Sequence, residues 1–307
     1  MVFCYICCAQ EWYRRDAFLY YTICMISLCL FSAIIIGALI GSFLNVVIYR
    51  YNTGLSISTG RSQCFVCGKK LVWYELVPLL SFFVQKGRCR VCQTKISWQY
   101  PLVELVTALL FFAVAYRQVG LYNIFSLYEN GFLFSVLLAL YYFIIVSLMV
   151  VIAVYDMRHK IIPDALVYSF IVLALGKLLV FTYMFGWPLS TLGLLNLLAP
   201  FLLAFPFAFL WFISRGMWIG FGDAKLAFGI GALLGLPHGL SAIMIAFWIG
   251  AIYGITLMIV SKFAPHRFTQ NIGPATEVPF APFLIIGTCI VLFTQIDVLG
   301  IMQFFNV

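Results

Sequence analysis

The chain has 307 residues, of which 64% are hydrophobic, 18% aromatic and only 9% charged, with a formal net charge of +8. Soluble domains carry about 25% charged residues, so this composition excludes an ordinary soluble enzyme, and its hydrophobicity excludes a disordered chain. Because basic residues gather in the cytoplasmic loops of membrane proteins, the positive charge is interpreted as a sign of topology and not of nucleic-acid binding. The composition predicts an all-α, polytopic membrane protein.

Uncharged stretches that are long enough to cross a bilayer recur along the chain, since about 20 apolar residues suffice. The first covers residues 17–49, and the lack of a small-residue cleavage site at its end predicts an anchor and not a removed signal peptide. A shorter, glycine-rich stretch at 225–236 is counted as a short span. The remaining predicted spans are 100–116, 132–155, 165–187, 193–214, 240–261 and 278–296. We therefore expect about eight spans.

A hydrophilic insert, residues 50–98, follows the first span and holds eight of the 18 basic residues. The positive-inside rule places this insert in the cytoplasm, and an eight-span topology then places both termini outside. The predicted organisation is an N-terminal region with the first span (1–49), the cytoplasmic insert (50–98) and a membrane domain (99–307).

Four cysteines in the insert have the spacing of a tetrahedral metal site, C-x2-C-x21-C-x2-C. They are Cys64, Cys67, Cys89 and Cys92. A cytosolic location argues against disulfides, and a small insert with little core gains stability from a metal. Four thiolates close the coordination shell of Zn²⁺, so the sequence predicts a structural zinc and not a catalytic one. An iron–sulfur centre and redox-active or unliganded cysteines are the alternatives.

Two aspartates lie at the predicted cytoplasmic ends of spans. Asp156 ends an uncharged helix and opens D-M-R-H-K-I-I-P-D, and Asp223 lies in G-F-G-D-A-K-L, between two glycines and the next helical stretch. Carboxylates at membrane depth are costly and suggest function. The alternatives are a surface charge paired with Arg158 or Lys160 for Asp156, and a helix N-cap for Asp223.

A close pair of carboxylates suggests hydrolysis without a covalent intermediate. Two neighbouring carboxylates cannot both ionise easily, so one can take a proton from water while the other polarises a peptide carbonyl. A membrane transporter that uses carboxylates is an alternative, although it predicts charges at mid-span and paired broken helices. A zinc-dependent peptidase is a further alternative, which the closed four-cysteine set disfavours.

Seven segments, in order from about residue 41 to 287, carry a recognisable pattern. They are G-S-F-L-N-V-V-I-Y-R (41–50), R-S-Q-C-F-V-C-G (61–68), G-R-C-R-V-C (87–92), I-S-W-Q-Y-P-L-V-E-L-V-T-A (96–108), D-M-R-H-K-I-I-P-D (156–164), G-F-G-D-A-K-L (220–226) and V-P-F-A-P-F-L-I-I-G (278–287). Together these segments resemble the bacterial type IV prepilin peptidases, membrane aspartic proteases of the G-x-G-D kind. The resemblance covers roughly four-fifths of the chain.

The resemblance implies that Asp156 and Asp223 are catalytic and that residues 99–307 form the peptidase domain. It implies cleavage of short basic leaders from pilin and pseudopilin precursors, after a glycine, at the cytoplasmic face of the bacterial inner membrane. It also implies that S-adenosylmethionine donates a methyl group to the new N-terminal residue, an activity that goes with the insert. Gly87, Glu75 and Glu104 are candidates for this methyl-donor site, with packing or capping as the alternative. The alternative that the protein is an active methyltransferase with an inactive peptidase stays open.

Three departures from the family pattern are visible. Phe65 stands where a proline often follows the first cysteine, Ala281 stands where glycine is usual, and Trp98-Gln99 replaces a more basic stretch. We expect none of them to contact Asp156 or Asp223. A basic leader also meets a strongly basic cytoplasmic face, and we expect anionic lipid headgroups to hold it there.

Overall fold

In the computed structural model, which describes residues 2–57, 59–125, 131–185, 191–263 and 278–304, the chain is almost entirely helical. The helices are α1 (Val2–Arg50), α2 (Leu80–Val84), α3 (Gln99–Phe125), α4 (Gly131–His159), α5 (Asp164–Phe185), α6 (Thr191–Ser214), α7 (Phe221–Leu234), α8 (Leu236–Phe263), α9 (Ala281–Thr294) and α10 (Ile301–Phe304). A single 3₁₀ turn, Trp73–Glu75, lies in the insert. The described residues form no strand, only two isolated antiparallel bridges, Gln63–Lys70 and Arg88–Lys95.

Six helices in the described part of the chain are long and apolar enough to cross a membrane. These segments are Met25–Arg50, Gln99–Gly120, Leu133–His159, Asp164–Tyr183, Gly193–Ser214 and Leu236–Lys262. The predicted spans at 225–236 and 278–296 correspond to α7 and α9, two apolar helices of 14 residues each. The predicted fold class, an all-α multi-pass membrane protein with a four-cysteine insert, is confirmed, and the count of eight spans stays a prediction.

Large apolar side chains cover the outer faces of these helices. Leu28, Phe31 and Leu39 of α1 are each more than half exposed, and so is Val172 of α5. Such surfaces are unfavourable in water and favourable in a hydrocarbon phase, so these faces are expected to contact lipid.

The helices form two compact units, residues 1–147 and residues 148–307. In the first unit α1 packs along α3, and the Asn45 side-chain amide of α1 donates to the Tyr100 carbonyl oxygen of α3 at 3.2 Å. Phe111 of α3 stacks on Phe143 of α4, with ring centroids 4.2 Å apart. The predicted boundary between the insert at 50–98, which is associated with methylation, and the peptidase domain at 99–307 stays a prediction.

In the second unit α7 contacts α5, α6, α8 and α9 and is largely buried. Two polar side chains hold the junction between α7 and α8. The Lys177 ammonium of α5 donates to the Leu233 carbonyl oxygen at 2.8 Å, and the Asn196 side-chain oxygen of α6 accepts from the Leu236 backbone N–H at 3.0 Å. A cation at the C-terminal carbonyls of a helix complements the helix dipole, so Lys177 stabilises the position of α7.

We expect Lys177→Met to destabilise the second unit, because it leaves a buried carbonyl at the end of α7 without its charged donor. Such a loss costs about 1–3 kcal/mol. The midpoint of thermal unfolding in detergent should fall by several degrees. Lys262→Met is the matched control, since Lys262 is exposed in the last turn of α8. Equal midpoints for the two variants would contradict the assignment.

Candidate functional site

Asp156 lies inside the last two turns of α4, which continues to His159. Its side chain is buried, with 5% of the residue exposed, so the alternative of a surface charge is wrong. The carboxylate accepts a hydrogen bond from the backbone N–H of Ala281, the first residue of α9. The free N–H groups at the start of a helix favour negative charge, so α9 offers Asp156 a polar partner within the packed unit.

Asp223 is the third residue of α7 and is also buried, with 8% exposed. The helix begins at Phe221 and Gly220 is the N-cap, so the alternative of a helix N-cap for Asp223 is wrong by three positions. The Asp223 carboxylate instead reaches back to the Gly220 backbone N–H.

The two aspartates come together in the second unit. They are close enough for the charge of Asp156 to act on Asp223. Each carboxylate also accepts a backbone N–H at the start of a helix, Asp156 from α9 and Asp223 from α7. Two interacting carboxyl groups held by backbone donors can divide the roles of proton acceptor and proton donor towards one substrate.

Gly222 allows another segment of the same chain to approach the first turn of α7 closely. Gly220 and Gly222 are expected from the sequence to leave room for a substrate strand. A Cβ at Gly222 would lie 2.9 Å from the Cβ of Ile162, closer than real contacts allow. The glycine therefore lets Ile162 pack against the first turn of α7.

An ion pair joins the first turns of α5 and α7. Lys225 Nζ lies 2.6 Å from Asp164 Oδ1 and 4.9 Å from the centre of the Tyr168 ring. The Asp164 side chain is 66% exposed, and exposed pairs contribute about 0–1 kcal/mol. Asp164 is therefore a surface carboxylate, unlike Asp156 and Asp223.

One contact of Asp156 differs from expectation. Ala281 is expected not to contact either aspartate, and this is wrong because its backbone N–H donates to Asp156. Every residue except proline offers a backbone N–H, so alanine keeps this bond where the family usually has glycine. The signal available in the sequence was Pro282, because proline is favoured in the first turn of a helix, where N–H groups lack internal partners.

Two short turns of the insert present the four cysteines. In the first knuckle (residues 63–70), the Gly68 N–H donates to the Cys64 carbonyl oxygen at 2.9 Å, and the Gln63–Lys70 bridge closes the turn. The second knuckle (residues 88–95) repeats this arrangement, with a 3.0 Å bond from the Gln93 N–H to the Cys89 carbonyl oxygen and the Arg88–Lys95 bridge. The same C-x2-C spacing thus gives the same local fold twice.

The four sulfur atoms lie within 4.8 Å of one another. Cys64 Sγ and Cys92 Sγ are 3.7 Å apart, and Cys67 Sγ and Cys89 Sγ are 4.0 Å apart. A tetrahedral Zn–S₄ site with bonds of about 2.3 Å has S···S edges of about 3.8 Å. Hydrogen bonds from the hydroxyl and N–H of Thr94 lower the pKa of Cys92 to about 6, which favours the thiolate that a metal needs. The cluster can hold a metal ion.

Glu75 connects the two knuckles. One of its carboxylate oxygens lies 2.7 Å from Lys69 Nζ of the first knuckle and 3.9 Å from Arg90 Nε of the second. The other accepts the Val72 N–H at 3.1 Å. The hydrogen bond from Lys69 outweighs the effect of burial and lowers the pKa of Glu75, so the carboxylate is charged.

Glu104 and Gly87 have structural partners as well. Glu104 of α3 is buried and accepts the Leu79 backbone N–H at 2.8 Å, which holds Leu79 at a φ of 60°. Gly87 has a φ of 65°, a region that favours glycine, and a Cβ there would lie 3.1 Å from the Phe82 ring.

A cavity of about 400 Å³ lies in the first unit. Its walls are formed by α1, the insert and the start of α3. Glu75 and Glu104 both line it, as do Cys64 and Cys89 of the metal cluster, whereas Gly87 is not among its lining residues. Two of the three candidates for the methyl-donor site thus face the same space.

Comparison with known proteins finds a family match for the N-terminal part of the chain and another for the C-terminal part. Residues 35–118 match the bacterial peptidase A24 N-terminal domain, and residues 143–255 match the type IV leader peptidase family. No solved structure shows a significant match to this chain.

Several curated relatives carry the name prepilin leader peptidase/N-methyltransferase. The chain is 33% identical to the Bacillus subtilis protein over 83% of this chain and 90% of that protein. It is 33% identical to the Myxococcus xanthus protein, over 79% of this chain and 65% of the longer relative. The Vibrio cholerae protein is 30% identical over 87% of this chain and 96% of its own length. The resemblance seen in the seven sequence segments is confirmed, and the chain belongs to the type IV leader peptidase family.

Proposed function

We propose that this protein cleaves the leader peptide from type IV prepilins and pseudopilins, and methylates the new N-terminal residue, at the inner membrane of a bacterium. The names of its relatives support both activities. The observation that carries the proposal is the pair of buried, interacting carboxyl groups, Asp156 and Asp223, on α4 and α7.

In the proposed reaction, one carboxylate accepts a proton from a water molecule while the other, protonated, donates a hydrogen bond to the scissile carbonyl oxygen. The water oxygen attacks the carbonyl carbon of the glycine that ends the leader. The C–N bond then breaks as the leaving amine takes a proton from the dyad. No covalent intermediate with the enzyme is needed.

The backbone donors of the site fix the geometry of this reaction. The Ala281 N–H holds one Asp156 oxygen and the Gly220 N–H holds one Asp223 oxygen, which leaves the remaining lone pairs for water and substrate. Burial keeps bulk water away from the carboxyl groups, so fixed hydrogen bonds act more strongly there than in water.

The first unit supports the methyltransferase in this proposal. We assign the metal of the four-cysteine cluster as a structural Zn²⁺, because four thiolates leave no open position for a substrate. S-adenosylmethionine would supply the methyl group to the amine that leader cleavage produces. The amine would release a proton to solvent as it gains the methyl group, and S-adenosylhomocysteine would leave as the second product.

The active site is proposed to face the cytoplasm. The insert at 50–98 carries eight of the 18 basic residues, which favours a cytoplasmic location. Both aspartates then lie at ends of helices that share this side in the predicted topology. The leader is basic too, and anionic lipid headgroups would hold it at the membrane surface.

We expect Asp156→Asn and Asp223→Asn each to lower the rate of leader release at least about a hundredfold, because an amide can neither accept nor donate the proton. The measurement is product mass, with purified enzyme and one prepilin in liposomes with S-adenosylmethionine. Asp164→Asn is the matched control and should cut at a rate close to wild type, since Asp164 is a surface residue. Wild-type rates in either dyad variant would refute the assignment. Methylation of a pre-cleaved pilin by a wild-type protein that cannot cut would favour the methyltransferase-only alternative.

We expect Cys64→Ser to remove the bound zinc, because three thiolates and a hydroxyl bind the ion less tightly than four thiolates. The insert should then become sensitive to limited proteolysis, while leader cleavage by the second unit continues. Elemental analysis of the purified protein gives the metal content. Cys29→Ser is the control, since Cys29 lies exposed on α1. One zinc per chain in both variants would contradict the site, and loss of leader cleavage in a folded, zinc-free protein would revive a zinc peptidase.

We expect leader cleavage to be faster in liposomes that contain anionic lipid than in neutral ones. Each basic leader residue gains about 1 kcal/mol near an anionic surface. The measurement is the KM for one prepilin in the two membranes, with a leader whose basic residues are replaced by glutamine as the control substrate. Equal KM values for the natural leader would exclude the lipid contribution.

A further inference from the structure

The short helix α2 of the insert exposes an apolar face. Leu80, Phe83 and Val84 are 65%, 62% and 69% exposed. These positions, i, i+3 and i+4, lie on one side of a helix, which we call the α2 face. Phe82 of the same helix is buried. Because neighbouring apolar side chains are unfavourable in water, the α2 face is a candidate contact surface.

Glu104 ties α2 to the first turns of α3. Its carboxylate accepts the Leu79 backbone N–H at 2.8 Å, and Leu79 directly precedes α2. The spanning segment of α3 begins at Gln99, so with a rise of about 1.5 Å per residue Glu104 lies about 7.5 Å inside it. Side chains in a helix tilt towards its N-terminus, which brings the carboxylate nearer to the start of α3. The helix α2 therefore begins beside the end of a spanning helix, at the depth of the lipid headgroups.

The exposed surface of α3 continues into Trp98. Leu102, Leu105 and Leu109 are exposed at positions i, i+3 and i+7, so they form a stripe that faces lipid. Trp98 is 70% exposed and starts this helix, since its carbonyl oxygen accepts the Leu102 N–H at 3.2 Å. The Trp98 ring also contacts Phe82 of α2, with ring centroids 4.9 Å apart. Trp98 thus connects α2 with the lipid-facing stripe of α3.

Basic residues border this surface. Lys86 and Arg88 are exposed and follow α2 closely in the chain. Apolar side chains with a tryptophan and flanking basic residues are typical of segments that lie in the interface of a membrane with anionic lipid. Phospholipid headgroups and the upper parts of the acyl chains match both kinds of side chain.

We propose that the α2 face and the Trp98 ring insert into the leaflet in which α3 begins, and so hold the insert against the membrane surface. The ligand of this surface is phospholipid, which already surrounds α3 at this depth. Since α1 and α3 anchor both ends of the insert in the membrane, the α2 face needs no high affinity of its own.

This contact also determines where the metal cluster lies. The second knuckle begins at Arg88, directly after α2 and Gly87, and the Ile96 N–H donates to the Gly87 carbonyl oxygen at 2.8 Å. The base of the knuckle is thereby joined to the end of α2. Insertion of α2 into lipid holds this knuckle at the membrane surface.

A photo-crosslinker identifies the molecule that covers the α2 face. The amino acid p-benzoylphenylalanine replaces Phe83 in the full-length protein, in vesicles of phosphatidylethanolamine and phosphatidylglycerol. The control has it in place of Val91, which is 63% exposed between the two cysteines of the second knuckle. Mass spectrometry after irradiation should find at least about ten times more phospholipid adduct at position 83 than at position 91.

The crosslinking is done with and without a prepilin. Adducts at position 83 with the apolar segment of the prepilin, in place of lipid, would overturn the proposal and make the α2 face a substrate-docking surface. Adducts with a second copy of this chain, or equal lipid adducts at positions 83 and 91, would overturn it as well.

Matched valine variants test the insertion through hydrogen exchange. Val84→Asp places a carboxylate in the interface, whereas Val91→Asp adds the same charge to the knuckle. In vesicles, we expect amide exchange across residues 80–86 to rise at least about fivefold in Val84→Asp and to stay within about twofold of wild type in Val91→Asp. Because both valines are exposed, the two variants should unfold at the same midpoint in detergent. Wild-type exchange in Val84→Asp would overturn the proposal.

Discussion

The burial of two carboxyl groups in one helical unit is the constraint on which the second half of the molecule depends. A buried carboxylate is stable only where hydrogen-bond donors replace water, and here the donors are the backbone N–H groups that begin α9 and α7. Each of these helices must therefore begin beside an aspartate.

The first half depends on cross-links between short turns. Its two knuckles contain no regular strand in the residues that the structure describes, and each is closed by a few backbone hydrogen bonds. Four thiols and the buried Glu75 join them. Because Cys64 and Cys89 also line the cavity, the metal cluster and the cavity share a wall. A metal at this position would hold open the space that it borders.

Composition and spacing predict much of this molecule. The uncharged stretches locate the helices, and the C-x2-C pairs predict the four-cysteine cluster, since both signals are local in sequence. The predicted short span begins at residue 225, four residues after the start of α7 at Phe221, because the charged residues Asp223 and Lys225 interrupt the apolar stretch. The Ala281 contact is missed for another reason: it joins residues that are 125 positions apart, and only tertiary packing brings them together. Glu75 likewise gains its partners from a turn that sequence spacing does not reveal.

The bond from Lys177 to Leu233 also constrains how the protein enters the membrane. The lysine lies in the middle of α5, and its acceptor follows 56 residues later in the chain. During synthesis α5 therefore reaches the bilayer before α7 exists, with an ammonium group that is costly in hydrocarbon. Before α7 arrives, the Phe181 ring of α5, 5.6 Å from the Lys177 ammonium in the folded protein, can contact this charge within the same helix. The acceptor of Lys177 is therefore present only after α6 and most of α7 have been synthesised.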